Sequence, residues 1–371
     1  MGKLVFPDVK HTDCYLSETL FSYISVRQIS KTQLPMPKNL ILGLLLASIT
    51  TAASIADRSL TMAITDSYDE EFTAKARSNL RAFHQNLSKG QYAANGPLIA
   101  TDFHWNYDGT IILTRDAGIT ALTSVVETAF RDLDAPDIYN IVDGDRAAVL
   151  FWLQGKQTGP FLGLPLQPDG RFKARSAEYF IFNDDALTRD VVTLTPISLI
   201  KAQMQGQVPV AEPSKVSLPN NPQTSPQYRN LLRRNMISIH LNANTRNTSA
   251  IRELASVDVE VDENGSVSRG KDAFVDLVTA NNAGKSAFPE KAFHAFDVLA
   301  DGQLGAVSYV WHGVQQRAYN GMPVKEGATV RMRGMLFFEF DDKGLIRKAI
   351  GAYDEGVVNT TLAGTGGYLY P

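Results

Sequence analysis

Apolar side chains recur at intervals of three and four in two widely separated stretches of the chain. Phe72, Ala76, Leu80, Phe83 and Leu87 form the first series; Leu231, Leu232, Met236, Ile239 and His240 form the second. Such spacing lines up one face of a helix, so an amphipathic helix is predicted to open each half. Each series is followed by a short strand-like patch, 102–106 or 257–261, that runs to a turn at Asp108-Gly109 or Asn264-Gly265. A second helix follows a glycine, over 119–130 and 273–279. The rest reads as strand, at 139–142, 147–155, 172–183 and 187–195, then at 293–299, 305–315, 329–341 and 345–353. Asn183-Asp184-Asp185 and Asp341-Asp342-Lys343-Gly344 read as hairpin turns. Helices first and long strands after predict an α+β fold, with helices packed on one side of a curved antiparallel sheet.

The two halves are the same text. With Asp143-Gly144 laid over Asp301-Gly302, a constant offset of 158 runs without a gap to Arg189 over Arg347, 47 positions with 14 identities. Gly155/Gly313, Gln157/Gln315, Gly163/Gly321, Pro165/Pro323 and Arg175/Arg333 are among them, and Phe180/Phe338 and Phe182/Phe340 continue the series. With small gaps upstream, His84 meets His240, Asp102 meets Asp258 and Gly118 meets Gly270. Two copies do not make a solenoid, so two complete globular units are expected, at 66–202 and 227–362, with a tail at 363–371. Between them, 203–226 is rich in proline, glutamine and serine and reads as a linker.

The N-terminal region carries a different signal. Met36-Pro37-Lys38-Asn39 is a short basic start, Leu40 to Ala47 an apolar run extended by Ile49, and Ser54 and Ala56 the small residues of a cleavage site before Asp57. This predicts a secretory signal peptide over 36–56, with 1–35 an upstream tail and no stable membrane span after its removal, the apolar run being well short of the ~20 residues a span needs. The only cysteine, Cys14, lies upstream of that segment. Asn86, Asn247, Asn264 and Asn359 begin glycosylation sequons, which suit an extracellular protein. Composition adds little: 44% hydrophobic, 20% charged and a net charge of -3 describe an ordinary globular chain with no basic footprint for nucleic acid.

The run Thr158-Gly159-Pro160-Phe161-Leu162-Gly163-Leu164-Pro165, a charged turn, and Phe172 through Phe182 resemble the signature of the SnoaL-like polyketide cyclases, of the nuclear transport factor 2-like superfamily. The resemblance spans both halves and implies two tandem cone-shaped α+β rolls, each around a deep, mostly apolar cavity. It further implies an acid/base aspartate in that cavity assisted by a histidine. Glu178 falls at the aspartate position and Gln157 at the histidine position; in the second unit the same places hold Leu336 and Gln315.

Read on its own, Glu178 stands in the row Phe172, Ala174, Ser176, Glu178, Phe180 and Phe182 on one face of a strand. A carboxylate alone in an apolar row is expected to have a raised pKa through desolvation, which suits proton transfer near neutrality. A buried structural glutamate is the other reading. His84 and His104 are the remaining proton-transfer candidates; the match of His84 with His240 points to a structural role shared by both units. Trp105, Tyr107 and Trp152 are candidate pocket walls. Arg175 and Arg333 face away from the apolar row, toward solvent or an interface, which suggests that the two units pair with each other. There is no nucleophilic cysteine, no His-Glu-x-x-His run and no phosphate-cradling glycine loop, so the chemistry expected is cofactor-free. Two functions stay open: acid/base cyclase, isomerase or dehydratase chemistry on a small apolar or aromatic molecule, or a non-catalytic binding or interaction module.

Overall fold

The computed structural model describes residues 70 to 363, except 108–109, 131, 211–223, 264, 280–285, 320–321, 354–357 and 359–360. The predicted signal segment, Asn264 and Asn359 lie outside the described residues. The first repeat runs α1 (Glu70–Ser88), a 3-10 turn (Tyr92–Leu98), β1 (Ile99–Tyr107), β2 (Thr110–Ile112), α2 (Arg115–Ala121), a π-helical turn (Leu122–Glu127), β3 (Asp137–Asp143), β4 (Arg146–Lys156), β5 (Arg171–Phe182), β6 (Thr188–Leu194) and α3 (Ile197–Met204). The second runs α4 (Pro226–Thr245), α5 (Thr248–Glu253), β7 (Ala255–Glu263), β8 (Ser266–Arg269), α6 (Lys271–Thr279), β9 (Ala292–Asp301), β10 (Leu304–Val314), β11 (Thr329–Phe340) and β12 (Ile346–Ala352). Among the described residues no helix is long and apolar enough to cross a membrane.

The sheets have one topology, β2-β1-β6-β5-β4-β3 and β8-β7-β12-β11-β10-β9. They are mixed, where an antiparallel sheet is expected from sequence: β1 runs parallel to β6, and β7 parallel to β12. The reason lies in the connections. Strands β3 to β6 follow one another through turns and a loop and must alternate in direction, whereas β1 reaches the edge of β6 over the intervening helix and hairpins. The β3–β4 and β9–β10 turns have Gly144 and Gly302 at φ +62° and +60°, where only glycine is unstrained. At the β5–β6 and β11–β12 turns, the Asn183 side chain accepts from the N–H groups of Asp185 and Leu187, and that of Asp341 from Lys343 and Leu345.

Helix α1 buries Ala76, Leu80, Phe83 and Leu87 of the stripe its spacing predicts, with Phe72 half-buried, and adds His84. These residues cover Phe151, Phe180 and Phe182 on the inner face of the sheet. Helix α4 does the same for the second repeat, starting at Pro226 with Ser225 capping the Tyr228 N–H, so the last proline of the expected linker is a helix start. At the other end of that linker, α3 extends through Met204, and Gln203 bonds both backbone groups of Lys173.

The outer faces of the two sheets pack on each other. Tyr139, Ile141, Leu150, Ala177 and Tyr179 meet Leu299, Ala306, Met335, Phe337 and Ile350 in one buried cluster. Equivalent residues exchange contacts across it. Arg77 of α1 bonds Asp301 at 2.6 Å, and its counterpart Arg233 of α4 bonds Asp143. Asp301 also accepts from the Val142 N–H, and Asp143 from the Ala300 N–H. This two-for-two exchange is what a two-fold homodimer interface shows, here between halves of one chain. Tyr139 donates to Glu339 at 2.5 Å, and Arg175 grips Asp262 with both guanidinium arms. Both members of the Arg175–Asp262 pair are buried. Removing one partner leaves the other charge uncompensated, so Arg175→Ala is expected to cost about 3–5 kcal/mol in urea unfolding. The double variant Arg175→Met/Asp262→Leu is expected to recover most of that loss; a loss under about 1 kcal/mol in the single variant would show that the pair does not hold the halves together.

Candidate functional site

The inner face of the first repeat holds one buried polar network. His84 projects from α1 beside Phe83 and lies 4.7 Å, ring to ring, from Phe151. Its Nδ1 donates to Asp137, the first residue of β3, and its Nε2 to Glu178 Oε2 at 3.0 Å. Glu178 sits mid-strand in β5, and its other oxygen accepts from the Thr193 hydroxyl of β6 at 2.9 Å. Trp105 of β1 donates its indole N–H to the Thr193 oxygen at 2.8 Å, which turns the hydroxyl hydrogen toward Glu178. Asp137 also accepts from Asn140 at 3.2 Å. The histidine and Glu178 are buried, while Asp137 is 22% exposed, so the chain of bonds leads from solvent into the core.

Burial alone would depress the basicity of His84. Hydrogen bonds to Asp137 and Glu178, with the charges of both, outweigh it and raise the pKa to about 9. At neutral pH the ring is therefore an imidazolium that donates from both nitrogens. Glu178 is thus not the lone carboxylate expected from its row: it is an acceptor held by a cation and a hydroxyl.

Beside it lies a cavity lined by Phe83, Phe103, Trp105, Leu122, Val191 and Glu178. The open space is about 10 Å³, on the order of one water molecule, and not the deep cavity that the family resemblance implies. Aromatic rings fill the space. Gly118 of α2 permits this, because a Cβ there would lie 2.9 Å from the Phe103 ring. The far wall continues into the π-helical turn at Leu122, a geometry common at functional sites.

The other expected site residues lie elsewhere. Gln157 is buried, but its amide donates to the carbonyls of Gly159 and Pro165, and its oxygen accepts from the Gln167 N–H. Gln315 makes the same clasp to Arg317, Pro323 and Lys325, so this residue holds the loop after β4 in the first repeat and after β10 in the second. His104 neighbours Trp105 on β1 and so points to the opposite face; it is 56% exposed and bonds Asp190 at 3.1 Å. Trp152 faces outward, with Lys173 and Arg175 over its ring. Of Tyr107 only the backbone is described. Asn86 lies on α1 and bonds Asn95, and Asn247 caps α5. Asp137 and Thr193 are the members that sequence reading missed. Their one sequence signal is the comparison of repeats: the positions of Asp137, Glu178, Thr193 and Trp105 become Ala295, Leu336, Gly351 and Val261 in the second copy.

His240 shows what that loss does. It is as buried as His84, but its Nδ1 donates to the Met236 carbonyl at 2.9 Å, and its ring packs against Phe293 and Tyr309. Burial prevails there and lowers its pKa to about 4. Aligned histidines are thus shifted in opposite directions, contrary to the shared role that their alignment suggests.

Residues 231–358, the second repeat, match the SnoaL-like polyketide cyclase family. Among solved structures, a candidate polyketide cyclase from Xanthomonas campestris pv. campestris is 22% identical, over 36% of this chain and 98% of that one, with a TM-score of 0.33. A candidate SnoaL-like polyketide cyclase from Jannaschia sp. CCS1 is 16% identical over 39% and 99%, with a TM-score of 0.34. A protein with a ketosteroid isomerase-like fold from Catenulispora acidiphila DSM 44928, in complex with trimethylamine, is 13% identical over 34% and 92%, with a TM-score of 0.30. No curated protein compared with the chain matches it.

The two histidines should give opposite pH signatures. With a folded pKa near 9 against about 6.5 unfolded, His84 contributes stability that is full below pH 6.5 and is lost as pH rises through 9, at most about 3 kcal/mol. His240, depressed to about 4, contributes in the other direction: stability falls as pH drops from 6.5 toward 4. Urea unfolding across pH 4–10 is expected to lose its alkaline slope in His84→Leu and much of its acid slope in His240→Leu. An unchanged alkaline slope in His84→Leu would show that His84 is not protonated in the fold.

Proposed function

We propose that the first repeat carries out cofactor-free proton transfer on a small apolar or aromatic molecule, as a cyclase, isomerase or dehydratase step, with Glu178 as the proton carrier. The observation that supports this most is Glu178 on the wall of an apolar cavity, its carboxylate bonded to the buried His84. In that setting Glu178 accepts a proton from a C–H next to a carbonyl and returns it to another atom of the same molecule. His84 and Thr193 fix the direction of the carboxylate, and Asp137 links the histidine to solvent for proton exchange. The second repeat, with leucine in place of the acid, takes no part in this step.

A second reading, a non-catalytic small-molecule-binding or protein-interaction module, is favoured by the small open volume. Anything larger than water requires Phe103, Trp105 or Leu122 to move. One experiment separates the two. Exchange of the α-protons of a small aryl ketone such as 2-tetralone in D2O, followed by NMR, is expected to be accelerated by the protein. Glu178→Gln should reduce the acceleration about 100-fold or more, while Leu336→Ala leaves it unchanged. Binding of the ketone without exchange would establish the second reading instead, and exchange undiminished in Glu178→Gln would remove Glu178 from the chemistry.

A further inference from the structure

The second repeat lacks the acid but has gained a base at a different place. At the offset of 158, Lys291 stands where the first repeat has Leu133, which is buried with Phe130, Phe161 and Phe172. Lys291 precedes β9, and its stem lies against Gly313 of β10, where a Cβ would come within 3.0 Å of the Lys291 Cβ. The ammonium group sits over two aromatic rings, 5.1 Å from the centre of Trp311 and 5.6 Å from that of Phe293. It lines a cavity of about 30 Å³ together with Arg246, Thr279, Ser286, Phe288 and Phe293, a larger open space than the one beside Glu178. A leucine exchanged for lysine inside an aromatic pocket gives up packing for a reactive group.

We propose that Lys291 is a nucleophilic amine that captures small aromatic aldehydes in this pocket as imines. The lone pair of neutral Nζ attacks the carbonyl carbon and the carbonyl π bond opens onto oxygen. A proton passes from nitrogen to that oxygen, giving a carbinolamine. Water then leaves as the C=N bond forms, so amine and aldehyde become imine and water with no oxidant or reductant. Phe288 and Phe293 supply faces for the aldehyde ring. Burial also favours the reactive form: it lowers the Lys291 pKa to about 8, and the charge of Glu263 offsets only part of that. At pH 7.5 roughly a quarter of such amines are neutral, against about a thousandth of ordinary lysines.

The test uses the full chain and is independent of the Glu178 reading. Protein at pH 7.5 is treated with benzaldehyde and cyanoborohydride, which reduces any imine to a stable benzylamine, and digested peptides are followed by mass spectrometry over time. Lys291 is expected to be labelled at least about tenfold faster than the other lysines, and Lys291→Met to lose that fast phase while slow labelling elsewhere is retained. Labelling of Lys291 at or below the rate of the other lysines in the unmodified protein would overturn the proposal, whether or not the variant folds.

Discussion

Each sheet in this protein has two buried faces, and the rest of the structure follows from that constraint. One face is covered by the helices of its own repeat and the other by the sister sheet. A strand such as β5, buried along nearly its whole length, has no solvent side on which to place a polar group. Every polar atom there needs a partner in the protein or it costs the free energy of desolvation. Most of the polar residues therefore occur in connected sets, the buried Ser176 hydroxyl having no hydrogen-bond partner among the described residues. On the outer face Arg175 finds Asp262 and Tyr139 finds Glu339; on the inner face Glu178 finds His84 and Thr193.

The two kinds of set differ in what they accomplish. Those on the outer face cross from one repeat to the other, and one set, in which Arg77 and Arg233 exchange aspartates, follows the pseudo-two-fold relation. They fix how the halves dock, and both copies need them. The inner network belongs to one repeat only. In the sister repeat the corresponding positions are apolar, and the aligned histidine turns from a cation to a neutral ring. Duplication preserved the scaffold, while the polar groups beside the two cavities differ, a buried acid in one and a half-buried lysine in the other.

The match to the polyketide cyclase family falls on residues 231–358, the copy without the acid. This is consistent with what a fold signature records. The residues shared by the repeats, among them Gln157/Gln315, Gly144/Gly302 and the Phe180/Phe338 row, hold turns, loops and core. They are legible in sequence because their spacing is set by strand and turn geometry. Glu178, by contrast, is visible only as a carboxylate in a row of apolar residues.

By itself the sequence determined the duplication, the amphipathic opening helices, the strand order within each hairpin series and the oddness of Glu178, since each rests on local periodicity or on direct comparison of the copies. Tertiary structure alone decided the parallel placement of β1 beside β6, the docking of sheet on sheet, and the company that Glu178 keeps. Asp137, His84, Glu178, Thr193 and Trp105 come from five elements, and hydrogen bonds between them depend on ångström-scale distances that no sequence interval encodes. The same holds for His84 and His240: identical residues at aligned positions are shifted in opposite directions because protonation is set by groups 53 and 94 residues away in one copy that have no counterpart in the other.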